Sequence, residues 1–334
     1  MARIHVLKPG MFTTVQDLGR PGWQRHGVTP GGAADAQALR FANVLVGNAA
    51  GAAGLEITLV GPTLRFAEAS LVAIGGAESD VAVGGVRLPA WRPIRLEQGA
   101  EVAFGVLRTG CRSYLAVAGG IAVPRVLGGR GTHVSAGFGG LAGRALRAGD
   151  VLKSGPASAW ARRLAAALAH RGTVSAARWE IGMGARPSYA AAPIIRVVRG
   201  TQWDWFSAGS RERFLQERFT VLPRSDRMGL RLATAAPGLV ADGRREMVSE
   251  GVATGTVQVP PDGQPIVLLA DRQTIGGYPK IANAASIDQS LLAQLRPGDT
   301  VGFREVSLAE AHELWLAAER QFATVSEGIA LHTT

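Results

Sequence analysis

The sequence predicts a mainly β protein with two domains and a few helices, its strands closed into barrels rather than laid out as a parallel α/β sheet. Three observations support this prediction. The 334 residues are enough for two ordinary domains. The 44 glycines and 17 prolines predict many tight turns, which suit short strands. Short apolar runs bounded by Gly, Pro or Asp recur along the chain, whereas helical periodicity is confined to four stretches.

Each predicted element follows from its local pattern. Apolar runs of strand length that end at turn residues predict strands; examples are residues 70–75, 101–104, 113–117, 194–198 and 265–270. Apolar residues spaced three and four apart predict helices, at residues 35–46, 159–170, 207–217 and 307–322.

An internal repeat indicates that the two domains are copies of one β unit. The segment GCRSYLAVAGGI from Gly110 resembles GQPIVLLADRQT from Gly263, and LRAGDVL from Leu146 resembles LRPGDTV from Leu295, each pair about 150 residues apart. The pairs keep the same order along the chain. We therefore predict a first domain at residues 1–153, a loosely packed linker at 154–192 and a second domain with a C-terminal helix at 193–334.

Composition excludes several classes of protein. The net charge is +10, but the basic residues are scattered and lack stacking aromatics, which argues against a nucleic-acid-binding protein. A small anionic substrate or an acidic partner would use the same positive field. The sequence shows no signal peptide and no apolar run of membrane-spanning length. The single cysteine, Cys111, forms no internal disulfide, and a cytoplasmic location is expected.

The usual catalytic motifs are missing. The sequence contains no G-x-x-x-x-G-K-[ST] loop and no G-x-S-x-G elbow. The glycine-rich segment 137–143 lacks a strand-turn-helix context, so it does not predict a dinucleotide site. The six histidines are isolated, so no dedicated metal site is predicted.

A first polar cluster lies at residues 13–22, TTVQDLGRPG, where Gln16, Asp17 and Arg20 are close in sequence. An amide, a carboxylate and a guanidinium can bind one small anion. The alternative is an Asp–Arg pair that fixes the loop.

A second cluster lies at residues 224–232, RSDRMGLRL, and contains Asp226 and Arg227. Neighbouring arginines favour the charged form of Asp226. The cluster either binds a carboxylate or phosphate, or braces a turn.

The third and richest cluster runs from Ser249 to Ala284. A predicted strand delivers Asp271 at its end, and Gly276 and Gly277 allow the backbone to approach a ligand. Lys280 shares a face with Tyr278 if the segment is extended. Polar groups at a strand end next to a glycine pair favour a binding site, to which we assign Glu250, Gln258, Asp271, Gln273, Gly276, Gly277, Tyr278 and Lys280.

These motifs resemble one family. TTVQDLGRPG, GVTPGGAADAQALRFAN and LEITLVGPTLRF in the first half, and SDRMGLRL with SEGVATGTVQVPPDGQPIVLLADRQTIGGYPKI in the second, are similar to the biotin-dependent carboxyltransferase or allophanate hydrolase subunit 2 family. The resemblance covers residues 4–305. It implies two tandem cyclophilin-like β-barrel domains, a companion of the same broad fold (the B subunit, or subunit 1), and often a barrel-type A subunit.

The resemblance implies three alternative functions. The first is a subunit of an ATP-dependent 5-oxoprolinase, which opens 5-oxo-L-proline to L-glutamate with magnesium-bound ATP. The second is the carboxyltransferase part of a urea carboxylase-like enzyme, with biotin carried by another protein. The third is a regulator, without turnover, that antagonises a kinase inhibitor.

One departure from the family pattern affects the first half. Gly31 and Ala34 stand where many relatives have serine and methionine, while Asp35 is retained. Asp35 is a candidate binding residue, although capping of the following helix also explains it.

For the 5-oxoprolinase hypothesis, we predict as catalytic residues Asp226, Asp271, Tyr278 and Lys280. Arg20, Arg227 and Lys280 are candidates to bind phosphates, and Asp17, Asp226 or Asp271 to position magnesium or water.

Overall fold

The computed structural model describes residues 1–169, 172–235, 237–241 and 247–332. The chain forms two compact units. The first contains Met1–Arg20, Asp35–Pro187 and Arg320–Thr334, and the second contains Pro21–Ala34 and Ser188–Glu319. Strands dominate both units and helices are few, which confirms the predicted mainly β class.

In its described part, the first unit is built on a ten-stranded sheet whose pairings are antiparallel. Its strands are β1 (Arg3–Lys8), β2 (Phe12–Gln16), β3 (Gly54–Thr58), β4 (Thr63–Phe66), β5 (Ser70–Val83), β6 (Val86–Arg87), β7 (Pro93–Leu96), β8 (Glu101–Val117), β9 (Val151–Lys153) and β10 (Val174–Ala176). The long strands β5 and β8 pair along most of their length. Their inward side chains, with those of β1, β3 and β4, form one apolar core.

Helix α1 (Ala36–Leu45) packs on this sheet in the first unit. The Asp35 carboxylate caps it by accepting the backbone N–H of Ala38 at 3.0 Å. The helix stops before Gly47, which has a φ of 68° that favours glycine. Capping, one of the two roles considered for Asp35, is therefore the one this residue fulfils locally.

The described strands of the second unit include a closed barrel in the order β11-β18-β15-β16-β13-β12-β19, and a separate β14–β17 pair. The strands are β11 (Ile194–Arg199), β12 (Phe219–Val221), β13 (Gly229–Ala233), β14 (Glu250–Gly251), β15 (Thr256–Gln258), β16 (Ile266–Leu268), β17 (Ile275–Gly276), β18 (Lys280–Ala284) and β19 (Thr300–Glu305). The barrel closes through a parallel β11–β19 ladder. Phe214 and Phe303 stack in its core at 4.5 Å between ring centroids.

The two Gly-Asp segments of the sequence repeat form the same turn. Gly149 and Gly298 both have positive φ, 88° and 92°. The Asp150 carboxylate accepts the backbone N–H of Arg147 at 2.7 Å, and Asp299 accepts that of Arg296 at 2.8 Å. Each turn feeds a strand, β9 or β19. This shared geometry supports the prediction of two copies of one β unit.

The predicted helices agree closely with the structure, apart from their ends. The observed helices are α1, α2 (Ala159–Ala167), α3 (Ala208–Gln216), α4 (Gln289–Ala293) and α5 (Leu308–Leu331). Helix α4 was missed because five residues carry too little periodicity. Helix α5 runs nine residues beyond its predicted end, and the predicted end of α2 at His170 lies outside the described residues. Within the described chain, no helix has the length and apolar character needed to cross a bilayer.

The interval 154–192 differs from the expected loose linker. Residues 154–187 group with the first unit. Within them, α2 buries Ala161 and Leu164, and β10 extends the sheet by pairing with β7. The other predicted domain limits stay a prediction.

Candidate functional site

Several residues of the third sequence cluster come together in the second unit. Strands β14 and β17 pair so that Glu250 lies opposite Gly276. The Lys280 ammonium forms an ion pair with the Glu250 carboxylate, which also accepts a hydrogen bond from Gln202 Nε2 at 2.9 Å. The hydrogen bond from Lys280, followed by the one from Gln202, lowers the pKa of Glu250. Gln202, which sequence analysis did not select, therefore belongs to this cluster.

Two glutamines continue the cluster toward the surface. Gln258 lies opposite Lys280 in the β15–β18 ladder. Its Oε1 accepts a hydrogen bond from Gln273 Nε2 at 3.2 Å. A Cβ on Gly276 would come within 2.5 Å of Gln258 Nε2. Glycine at position 276 therefore makes room for the Gln258 side chain, whereas sequence analysis reserved that space for a ligand.

A buried ion pair holds the end of strand β16. The Arg227 guanidinium donates from Nε to Asp271 Oδ2 at 2.7 Å and from Nη2 to Asp271 Oδ1 at 3.1 Å. Nη2 also donates to the Gly32 carbonyl at 2.6 Å. Both charged side chains are buried. Arg227, which we predicted to bind phosphate, and Asp271, predicted as catalytic, therefore bind each other.

A groove of about 400 Å³ opens on the same unit. Its charged and polar wall includes Arg224, Asp226, Arg231, Asp262, Gln273 and Tyr278. Within the residues that the structure describes, no side-chain hydrogen bond or ion pair engages the guanidinium of Arg224 or Arg231. Two exposed guanidiniums next to amide and phenol groups can bind an anionic group of a small molecule, while the carboxylates of Asp226 and Asp262 leave the lining without a net charge.

Two details of the predicted site need correction. Asp226 Oδ1 accepts the backbone N–H groups of Met228 and Gly229 at 2.8 and 3.2 Å, so this carboxylate braces a turn, the second of its two predicted roles. Tyr278 is exposed and lines the groove, whereas Lys280 is buried and ion-paired. The two side chains do not share a face, because strand β18 begins only at Lys280.

The first sequence cluster is buried in the first unit. Asp17 accepts the backbone N–H groups of Gly19, Arg130 and Gly131. Arg20 donates to the carbonyls of Val126 and Gly131. These bonds tie the loop at residues 17–20 to the glycine-rich segment after residue 126, which agrees with the structural alternative rather than with an open anion site.

Gln16, the third member of that cluster, is also fully buried. Its Nε2 donates to Thr14 Oγ1 and to the Thr132 carbonyl, each at 3.1 Å. Gln16 therefore joins strand β2 to the segment near residue 132.

Sequence analysis missed a second buried polar network in the first unit. The Tyr114 hydroxyl donates to Glu56 Oε2 at 2.8 Å and accepts the backbone N–H of Asp35 at 2.8 Å. Arg112 lies 3.7 Å from the Glu56 carboxylate. Burial, followed by the charges of Glu56 and Asp35, raises the pKa of Tyr114 well above its ordinary value. The strand register brings these residues together across 58 positions of sequence, which leaves no local signal.

The carboxylates proposed to position magnesium are engaged elsewhere. Asp17 and Asp226 accept backbone N–H groups, and Asp271 binds Arg227. The described residues include no group of three or more His, Cys, Asp or Glu side chains that could hold a metal ion. The side chains therefore do not fit a metal site built from protein ligands alone.

Comparison with known proteins adds the family context. A protein-family model described as carboxyltransferase domain, subdomain A and B, matches residues 26–305. The chain is 37% identical to the C subunit of 5-oxoprolinase from Escherichia coli over 328 residues, which cover 96% of each chain. It is 35% identical to the corresponding C subunit from Haemophilus influenzae over 93% of this chain and 94% of the relative.

A solved structure shares the fold of the whole chain. The crystal structure of the Kluyveromyces lactis urea carboxylase matches 98% of this chain with a TM-score of 0.86 and 28% identity. The match spans only 29% of that longer enzyme. The fold is therefore that of a segment of the larger protein.

Proposed function

Since the chain belongs to the carboxyltransferase domain A and B family, we propose that it is a subunit of an ATP-dependent 5-oxoprolinase. The assembled enzyme opens 5-oxo-L-proline to L-glutamate while it hydrolyses ATP. The similarity to the C subunit of 5-oxoprolinase along nearly all of both chains carries this proposal. The enzyme is completed by a companion B subunit, together with a barrel-type A subunit. We also propose that the assembled enzyme works in the cytoplasm.

The groove of the second unit supports the chemistry of this reaction. Phosphorylation of a lactam oxygen requires cations for the phosphates and donors for the developing negative charge. Arg224 and Arg231 are the groove cations that we assign to the phosphates, in place of Arg20 and Arg227. Tyr278, whose phenol is a hydrogen-bond donor, lines the same groove. Magnesium enters this proposal with ATP, because it binds through phosphates and water with few protein ligands.

The primary test is release of ADP and glutamate that depends on 5-oxoproline. The full chain is assayed alone and after reconstitution with its companion subunits. We expect turnover only in the complex. A well-formed complex that releases neither product contradicts the proposal.

Lys280 provides a sharper test of the site. We expect Lys280→Ala to abolish turnover in the complex, because the buried ammonium is the cation that pairs with Glu250 in the polar cluster of Glu250 and Gln202. Lys153→Ala, which removes an exposed lysine from β9 of the first unit, is the matched control. Unchanged turnover of the Lys280 variant removes it from the catalytic assignment. A melting temperature measured on each variant separates loss of chemistry from loss of folding.

Carboxyl transfer is the second candidate function, favoured by the fold shared with the K. lactis urea carboxylase. Biotin would then arrive on another protein, because no lysine of this chain lies in a Met-Lys-Met sequence. An avidin-reactive protein that co-purifies with the chain, together with urea-dependent carboxyl transfer, supports this candidate. A stable complex with the companion subunit, without substrate-dependent ATP hydrolysis, supports the regulatory alternative.

A further inference from the structure

Arg272 is a buried cation on the turn that follows strand β16. Arg272 is only 5% exposed to solvent. Nε donates to the Val252 carbonyl at 3.3 Å. Nη1 is buried and has no hydrogen-bond partner within the described residues. Within the described part of the chain, Nε of this guanidinium therefore has a hydrogen-bond partner and Nη1 has none.

Two described acids near Arg272 in the chain or on its partner strand already have cationic partners. Asp271, its neighbour in sequence, forms the two-bond ion pair with Arg227. Glu250, on the strand that leads to Val252, pairs with Lys280. Among the described residues, this group therefore holds three cations (Arg227, Arg272 and Lys280) and two carboxylates (Asp271 and Glu250), an excess of one positive charge.

Such an excess charge is unfavourable inside a protein. A buried ion without a counter-ion loses its hydration and gains little in return. Burial lowers the pKa of Arg272 from its ordinary value. An arginine side chain nevertheless stays protonated at neutral pH. No carboxylate of the described residues supplies the missing negative charge, and a bound anion would supply it.

We propose that Arg272 binds the carboxylate of the substrate, which is the counter-ion that the described residues do not give this buried guanidinium. The planar guanidinium fork matches a carboxylate with two parallel hydrogen bonds. The next residue, Gln273, is exposed and lines the groove, so the groove opens beside the turn that carries Arg272. The identity of the ligand, 5-oxo-L-proline, rests on the proposed function.

Binding is tested with two lactams that differ only in the carboxylate. Thermal unfolding of the full chain, and of the reconstituted complex, is followed with 5-oxo-L-proline and with pyrrolidin-2-one. We expect 5-oxo-L-proline to raise the melting temperature, and pyrrolidin-2-one to leave it unchanged. The Arg272→Met variant should lose the response to 5-oxo-L-proline.

The unliganded variants separate a binding role from a structural one. Arg272→Met removes an uncompensated cation, so the melting temperature without ligand should stay the same or rise. Arg227→Met is the matched control, because it strands the buried carboxylate of Asp271 and should lower the melting temperature. If Arg272→Met lowers it as much as Arg227→Met does, Arg272 is a structural cation and the inference is overturned.

Steady-state kinetics of the complex give a second readout. Arg272→Met should raise KM for 5-oxo-L-proline about 10- to 100-fold, the loss expected for a charge-assisted hydrogen bond, with KM for ATP unchanged. Arg272→Lys keeps the charge but not the planar guanidinium fork. Its KM for 5-oxo-L-proline should lie between those of the wild type and Arg272→Met. An increase in KM for ATP alone identifies a phosphate as the anion and overturns the inference.

The two proposals fail in different ways. A complex that makes no glutamate, although 5-oxo-L-proline stabilises the wild-type protein through Arg272, contradicts the proposed function and supports the carboxylate site. If the complex turns over and Arg272→Met keeps the wild-type KM, only the inference fails. If 5-oxo-L-proline stabilises neither the chain nor the complex, the inference is overturned whatever the activity.

Discussion

At the residue scale, adjacent positions on one turn have opposite electrostatic roles. Asp271 is buried with both carboxylate oxygens hydrogen-bonded to Arg227. Arg272 is buried without a carboxylate partner within the described residues. A buried ion pair with two hydrogen bonds is a folding constraint once both ions are present, because removal of either ion leaves the other uncompensated.

We therefore predict that Asp271→Asn and Arg227→Met each lower the free energy of unfolding by about 3–5 kcal/mol. The double variant Arg227→Met, Asp271→Leu should recover most of the loss, because it leaves no buried charge. Urea unfolding of the three variants provides the measurement. Single-variant losses below about 1 kcal/mol would indicate a hydrated pair of the kind found at protein surfaces.

At the scale of elements, the two Gly-Asp turns have the same backbone geometry but differ in their side-chain partners. Asp150 also accepts two hydrogen bonds from the Arg144 guanidinium, at 2.7 and 2.8 Å. The Arg144 hydrogen bond is the main reason that the pKa of Asp150 lies below its ordinary value. A depressed carboxyl pKa stabilises the fold above the unfolded-state value and loses this effect as pH falls through the folded-state value.

Asp150→Asn should accordingly reduce the free energy of unfolding by about 1–2 kcal/mol at neutral pH. The difference from wild type should disappear as the pH falls from about 4, the ordinary aspartate value, through the lower pKa of the folded state. Asp299→Asn keeps the corresponding backbone acceptor and serves as the control. Unfolding measured from pH 7 to acid tests this, and a difference that persists in acid would refute the ionic contribution of Arg144.

At the scale of the whole molecule, the net charge of +10 is spread over the sequence rather than gathered in one run. A diffuse positive field attracts anionic ligands and acidic protein surfaces without specifying a docking site. In the proposed enzyme, this positive field increases the rate of association with a companion subunit.

The rate constant for association with the companion should fall about 10-fold between roughly 0.05 and 0.5 M NaCl, because salt screens long-range attraction. Dissociation should change much less, since it depends on short-range contacts. Stopped-flow or surface-binding kinetics measure both. An association rate that does not depend on salt would show that the charge has no role in assembly.

Local patterns were sufficient for much of the fold. The periodicity of α1 and α3, together with the Asp35 cap of α1, predicted those helices within two residues, and the Gly-Asp turns pointed to the repeat. These features depend on residues a few positions apart, so propensity and turn chemistry determine them. The same holds for the long motif at residues 249–284, which identified the family.

Tertiary structure alone decided the partners of the charged side chains. Arg227 pairs with Asp271 44 positions away, and Glu56 bonds to Tyr114 58 positions away. Strand register sets such pairings, and a shift of one residue would exchange the buried and exposed faces. The sequence by itself therefore determined the family, the strands and the richest polar cluster. Only the folded structure determined which arginines are neutralised by carboxylates and which have no carboxylate partner among the described residues.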